Sequence, residues 1–185
     1  MRVVLLGMSA PDYFAFFGLE PKLSIDAAGL EERFYRLSRE LHPDRFSRAA
    51  PDERAQAEQA AATLNDAYRT LRDPIARAEY FLRREGFEAP DGRKPPANLL
   101  EQVFETSQAL EDLRGGDESA RARLEEARVR MRVALTEGDA RLRLLFEDYD
   151  RLGDRALLAG IRAWLDRRKY LGNLLAQIES ELATP

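Results

Sequence analysis

The single histidine of this 185-residue chain, His42, is followed directly by Pro43 and Asp44. Because proline fixes its own φ and disfavours helix in the residue before it, the imidazole and the carboxylate are expected to point outward from a constrained turn. The chain has no cysteine, no second histidine and no Walker-type phosphate loop, so it offers no thiol nucleophile, histidine pair or nucleotide cradle. These residues therefore predict an exposed polar turn, and no enzyme activity is expected.

The turn is positioned by two segments in which apolar residues recur at three- and four-residue steps, Leu30 to Leu41 before it and Asp52 to Leu71 after it. This spacing predicts two amphipathic helices, packed as an antiparallel hairpin with the turn at its tip. Three basic residues lie off the apolar stripe of the first helix and form a basic face: Arg33, Arg36 and Arg39.

The remaining sequence also indicates helices and predicts an all-α fold. A short aromatic helix, Tyr13 to Phe17, precedes the hairpin, and Pro74 to Arg84 follows it. Gly, Pro and charged residues dominate 85–96, where Pro95-Pro96 prevents helix continuation. Three longer helices are then expected at about 97–113, 117–150 and 154–182, forming an antiparallel bundle. The predicted organisation is a leader (1–10), a first domain (11–84), a linker (85–96) and a three-helix bundle (97–185).

The longest helix is expected to continue through Gly138, because one apolar stripe runs from Leu124 to Leu152. In the last helix Arg168 alone interrupts the expected buried stripe, whose members are Leu157, Ile161, Trp164, Leu171, Leu175, Ile178 and Leu182.

Composition excludes several function classes. The net charge of -4 gives no overall attraction to nucleic acid or to an anionic membrane. The apolar run from Val3 to Met8 is too short to span a membrane, so the cytoplasm is the default expectation. Without cysteine, and with one histidine, no metal site and no bound cofactor are expected.

Four motifs give the chain a family resemblance: residues 12–19 (DYFAFFGL), 41–46 (LHPDRF), 64–74 (LNDAYRTLRDP) and 77–82 (RAEYFL). In this order and at these separations the chain resembles a J-domain co-chaperone, and more closely the HscB type that serves iron–sulfur cluster assembly. The resemblance implies a J-domain followed by a helical bundle.

The resemblance also implies docking on a DnaK/HscA-type chaperone, whose ATP hydrolysis the J-domain stimulates. The residues assigned to this contact are His42, Pro43, Asp44, Arg33, Arg36, Arg39 and Arg45. For any one of these arginines, an ordinary solvated helix face is the alternative.

A second contact, with an IscU-type iron–sulfur scaffold protein, is implied for the C-terminal bundle. By position it falls on Leu99, Leu100, Val103, Phe104 and Tyr170. If Leu99 and Val103 belong to the buried stripe, Leu100 and Phe104 point about 100–140° away from it and are surplus apolar surface. The alternatives are that Leu99 and Val103 are bundle core and that Phe104 covers the J-domain. Weak self-association through the patch is left open.

Two other functions stay open. The chain could be a general J-domain protein for unfolded clients, although it lacks a Gly/Phe-rich segment and CxxCxGxG repeats. It could instead be a structural helical adaptor whose J-like hairpin is silent.

Overall fold

The computed structural model describes residues 11–47, 49–87 and 99–183, which contain seven α-helices, one 3-10 helix and no strand. The prediction of an all-α fold is confirmed. The helices are α1 (Tyr13–Phe17), α2 (Ala27–Glu40), a 3-10 helix (Pro43–Phe46), α3 (Pro51–Arg72), α4 (Pro74–Arg84), α5 (Leu100–Arg114), α6 (Ser119–Leu152) and α7 (Ala156–Leu182).

Contacts divide the chain into two compact units, Met1–Phe81 and Leu82–Pro185, so the division falls within α4. The predicted leader and most of the predicted linker lie outside the described residues. No helix in the described ranges is long and apolar enough to cross a membrane.

In the first unit, α1 is short because both of its ends are capped. The Asp12 carboxylate accepts hydrogen bonds from the backbone N–H groups of Phe14 and Ala15, and Gly18 ends the helix in the left-handed region at φ 62°, a conformation that glycine adopts without strain. Tyr80 holds the helix in place: its hydroxyl accepts from Tyr13 N at 2.9 Å, and the two rings stack at 4.7 Å.

The predicted hairpin is formed by α2 and α3. Helix α2 begins before the predicted Leu30, at Ala27, because the Asp26 side chain caps it by accepting from Ala28 N. Phe34 of α2 stacks on Tyr68 of α3 at 4.1 Å. The buried side of α3 consists of two leucines, Leu64 and Leu71, and of three alanines that permit close helix packing, Ala57, Ala60 and Ala67.

One buried arginine forms hydrogen bonds to two separate segments of the first unit. Arg77 of α4 is only 7% exposed. Its Nε donates to the carbonyl oxygen of Leu23 at 2.7 Å, and its Nη1 donates to the carbonyl oxygen of Leu71. A permanently charged group is thus buried with hydrogen-bond partners supplied by the α1–α2 connection and the end of α3.

In the second unit, α5, α6 and α7 surround one apolar cluster, whose buried members are Leu99, Ala109, Leu110, Leu124, Ala127, Met131, Leu171, Leu174 and Ile178. Helix α6 runs without interruption through Gly138, as predicted. The Arg114 side chain joins the end of α5 to α7 by donating to Glu181, and this hydrogen bond lowers the pKa of the Glu181 carboxyl.

Gly138 is where α6 meets the indole of Trp164 most closely. A Cβ at Gly138 would lie 2.6 Å from Cε2 of Trp164 and still closer to its Cζ2 and Cη2. The next residue, Asp139, accepts from Trp164 Nε1 at 3.3 Å and from Arg168 Nε at 2.8 Å. Arg168, which interrupts the apolar pattern of α7, is therefore partnered by a carboxylate of α6.

Three residues of the stripe predicted for α7 are buried, namely Ile161, Leu171 and Ile178, but other buried positions lie one residue away from predicted ones. Leu158 and Leu165 are buried, whereas Leu157 and Trp164 are half-buried. In the second half Leu174 is buried, and Leu175 and Leu182, which were predicted to be buried, are only partly so. At the end of α6, Leu152 was also expected on the buried stripe, but it is 60% exposed.

Candidate functional site

The His42 turn begins where α2 ends. Leu41 closes α2 by donating its N–H to Leu37 O, and His42 has extended backbone angles, as expected before proline. A one-turn 3-10 helix starts at Pro43, with Arg45 N donating to His42 O at 3.0 Å. The turn thus separates α2 from α3 and keeps His42 and Asp44 out of either helix.

Both polar side chains of the turn are accessible. The His42 side chain is 56% exposed and that of Asp44 is 90% exposed. His42 Nδ1 accepts from the backbone N–H of Asp44 at 3.3 Å and lies 3.5 Å from Asp44 Oδ2. The turn is therefore stabilised from within by one imidazole nitrogen.

The basic residues of α2 do not share one environment. Arg36 and Arg39 are exposed, and Arg39 Nε donates to the carbonyl oxygen of Tyr35. Beyond the turn, exposed Arg45 makes a long hydrogen bond of 3.5 Å from its Nη1 to Arg39 O. These cations lie along α2 and the turn, where they could attract a negatively charged partner surface.

Arg33 has a contact within its own unit. Its Nη1 donates to the carbonyl oxygens of Phe17 and Gly18, each at 3.0 Å. These carbonyls belong to the C-terminal end of α1, where unsatisfied backbone acceptors and the helix dipole favour a cation. Arg33 thus holds α1 against α2, a role that the sequence pattern did not reveal.

Tyr35, which was not among the predicted contact residues, is an aromatic residue that is 56% exposed and lies on α2 near the exposed Arg36 and Arg39. An exposed aromatic ring in a basic face is a common feature of recognition surfaces. The exposure of Tyr35 could have been predicted from the sequence, because Tyr35 directly follows Phe34 of the apolar stripe and therefore lies to one side of that stripe.

The five residues assigned to the second contact lie in three environments. Leu99 is fully buried in the bundle core, while its neighbour Leu100 is 52% exposed and Phe104, one turn later, is 69% exposed. Val103 and Tyr170 are half-buried and pack against the core cluster. Leu100 and Phe104 therefore form an exposed apolar pair at the start of α5, which we call the α5 patch.

The described ranges contain no group of three or more His, Cys, Asp or Glu side chains that could hold a metal ion.

The chain is similar to known proteins over most of its length. A family model described as the DnaJ domain matches residues 12–80. The co-chaperone protein HscB homolog of Bordetella avium is 39% identical over 177 residues, which cover 91% of this chain and 98% of that protein. The homolog of Bordetella pertussis is 34% identical over 177 residues, with 91% and 97% covered.

Two solved structures share the fold. The chaperone HscB from Vibrio cholerae is similar with a TM-score of 0.67 and 26% identity, over 92% of this chain and 96% of that one. The human co-chaperone protein HscB, at 24% identity, matches with a TM-score of 0.71 over 97% and 86%. The chain belongs to the HscB family of co-chaperones and carries a J-domain in its N-terminal unit.

Proposed function

We propose that this protein stimulates ATP hydrolysis by a DnaK/HscA-type chaperone through its His42 turn and delivers an IscU-type iron–sulfur scaffold protein to that chaperone through its C-terminal bundle. The observation that carries the proposal is the exposure of His42 and Asp44 on a capped turn beside a basic helix face. Family membership makes a chaperone the expected partner of this surface.

The chaperone contact would combine two kinds of interaction. Arg36, Arg39 and Arg45 supply exposed positive charge, which accelerates encounter with an acidic surface and weakens with added salt. His42 and Asp44 supply a fixed pair of polar groups, which give the docked complex its geometry. Stimulation then requires no catalytic group from this chain. The J-domain need only bind the hydrolysis-competent arrangement of the chaperone more tightly than its resting one.

The scaffold contact would use the α5 patch. Leu100 and Phe104 are large and exposed, yet they extend from a helix whose other side is anchored by buried Leu99 and Leu110. A rigid helix that presents an apolar pair can bind a partner with little loss of conformational freedom. The half-buried ring of Tyr170 packs on the core cluster to which Leu99 belongs, and the proposal includes it in this contact. The scaffold, rather than this cysteine-free chain, would hold the iron–sulfur cluster.

The test of the chaperone contact is single-turnover ATP hydrolysis by the HscA-type chaperone, with the wild-type chain or the His42→Ala variant, each with and without scaffold. Stimulation that needs His42 and rises further with scaffold is the expected result. Stimulation indifferent to scaffold would instead favour a general J-domain protein, and no stimulation would favour a structural adaptor.

The scaffold contact is tested by a binding titration with the Leu100→Ala/Phe104→Ala double variant. Leu144 and Val133 of α6 are 61% and 50% exposed and provide a matched control, Leu144→Ala/Val133→Ala. We expect the first variant to weaken scaffold binding at least about tenfold, as loss of a small hot spot would. The control should bind normally. Equal effects of the two variants, or loss of helicity in the first, would contradict the assignment.

A further inference from the structure

The two ring nitrogens of His42 have different surroundings. Nδ1 accepts a hydrogen bond from the backbone N–H of Asp44 at 3.3 Å. A nitrogen that accepts a hydrogen bond must present a lone pair, so it carries no proton. In neutral imidazole the single ring hydrogen is then on Nε2. The geometry of the turn thus selects one of the two tautomers.

Nε2 is the nitrogen that remains available to a partner. The side chain is 56% exposed, and its only polar contacts within residues 11–47, 49–87 and 99–183 are those of Nδ1 with Asp44. The Asp44 carboxylate beside it is 90% exposed and accepts hydrogen bonds. The turn therefore has one donor with no partner among the described residues, Nε2–H, next to an exposed acceptor.

We propose that His42 is held as its Nε2–H tautomer and donates a hydrogen bond from Nε2 to an oxygen acceptor on the chaperone, while Nδ1 caps the turn. The identity of the partner rests on the proposed function, whereas the tautomer is a property of the free chain. Histidine suits the position because it has two ring nitrogens, one for each task.

Asparagine and glutamine can each reproduce one of the two hydrogen bonds assigned to His42. The short Asn side chain places its carbonyl oxygen where it can accept from the N–H two residues later, as in an Asx-turn. Gln extends its amide group toward the position of Nε2 but leaves the turn without this local cap. His42→Asn should therefore keep the turn and lose the outward donor, and His42→Gln should do the reverse.

The tautomer can be read directly from the full-length protein. Because the chain has one histidine, ¹⁵N-histidine labelling gives a single pair of ring-nitrogen signals. For the neutral imidazole we expect a protonated Nε2 and an unprotonated Nδ1 in two-bond ¹H–¹⁵N spectra. A protonated Nδ1, or signals averaged between the tautomers, would overturn the proposal.

The role of Nε2 is tested by the two variants in hydrogen exchange and in the chaperone assay. In His42→Asn we expect the Asp44 amide to exchange as in the wild type while stimulation falls about tenfold, the loss of one hydrogen bond. In His42→Gln we expect the Asp44 amide to exchange faster. Wild-type stimulation by His42→Asn would refute the outward hydrogen bond. If the wild-type chain does not stimulate the chaperone at all, the proposed function and the Nε2 contact with the chaperone are both refuted. The tautomer is then still determined by the NMR spectra.

Discussion

Replacing Gly138 by alanine should destabilise the second unit, although alanine is the better helix former. Gly138 lies within α6, where glycine ordinarily costs about 1 kcal/mol relative to alanine. Here, however, the new Cβ would lie 2.6 Å from Cε2 of Trp164 and closer still to two other ring atoms. Carbon atoms normally approach to about 3.5–4.0 Å, so the indole must move by more than about 1 Å.

The magnitude follows from what the displaced indole loses. Truncating a fully buried aromatic residue costs about 3–5 kcal/mol, and Trp164 is half-buried, so loss of its packing should cost about 2 kcal/mol. Loss of its hydrogen bond to Asp139 adds about 1 kcal/mol, and alanine returns about 1 kcal/mol of helix propensity. The expected net destabilisation is about 2 kcal/mol.

The assay is urea unfolding of the full chain followed by tryptophan fluorescence, since Trp164 is the single tryptophan and reports on the second unit. The matched control is Gly160→Ala in α7, where nothing lies within 4 Å of the added Cβ. This variant should be more stable than the wild type by up to about 1 kcal/mol. If Gly138→Ala gains stability like the control and keeps the native emission spectrum, the close approach of Trp164 to α6 is refuted.

Further variants separate contacts within the first unit from contacts with a partner. Arg36→Ala should weaken chaperone docking several-fold without changing thermal unfolding. Arg33→Ala should lower the free energy of unfolding by about 1–2 kcal/mol, because two carbonyls at the end of α1 lose their donor. Thermal unfolding followed by circular dichroism and a binding titration measure the two effects, and equal unfolding temperatures of the two variants would contradict the prediction. Arg77→Met should cost roughly 2–4 kcal/mol, because the carbonyl oxygens of Leu23 and Leu71 each lose a buried, charged donor, and a midpoint of urea unfolding close to that of the wild type would argue against this. Asp12→Ala should remove about 1 kcal/mol through loss of the α1 cap, seen as faster amide exchange at Phe14 but not at Phe34.

Helix periodicity predicted most of the fold because each helix of this chain has an apolar side at regular spacing. It predicted the continuity of α6 through Gly138, since the stripe keeps its register there. It predicted buried Ile161, Leu171 and Ile178 correctly but missed buried Leu158, Leu165 and Leu174, because periodicity alone does not show which residue a helix packs against. Trp164 fits the predicted stripe but lies beside Gly138, and Arg168 finds its carboxylate at Asp139, 29 residues earlier.

The residues of the candidate site could be predicted from the sequence, but the contact that each of them makes could not. The sequence shows three arginines on one side of α2 and does not show that Arg33 bonds to the end of α1. It likewise shows His42 before a proline, but the direction of each ring nitrogen depends on the local turn. Contacts between residues distant in sequence, and hydrogen bonds of single atoms, are not encoded in a periodic pattern.

Substitutions at the adjacent residues Leu99 and Leu100 would affect different parts of the second unit, the core and the surface. Leu99 is fully buried and Leu100 is 52% exposed, although they are chemically identical. A polar replacement at Leu99 would disturb the bundle core, while the same replacement at Leu100 would leave the core intact and alter the surface alone. Over evolutionary time the residues of the α5 patch can thus change by single substitutions, without the loss of stability that would remove such variants from a population.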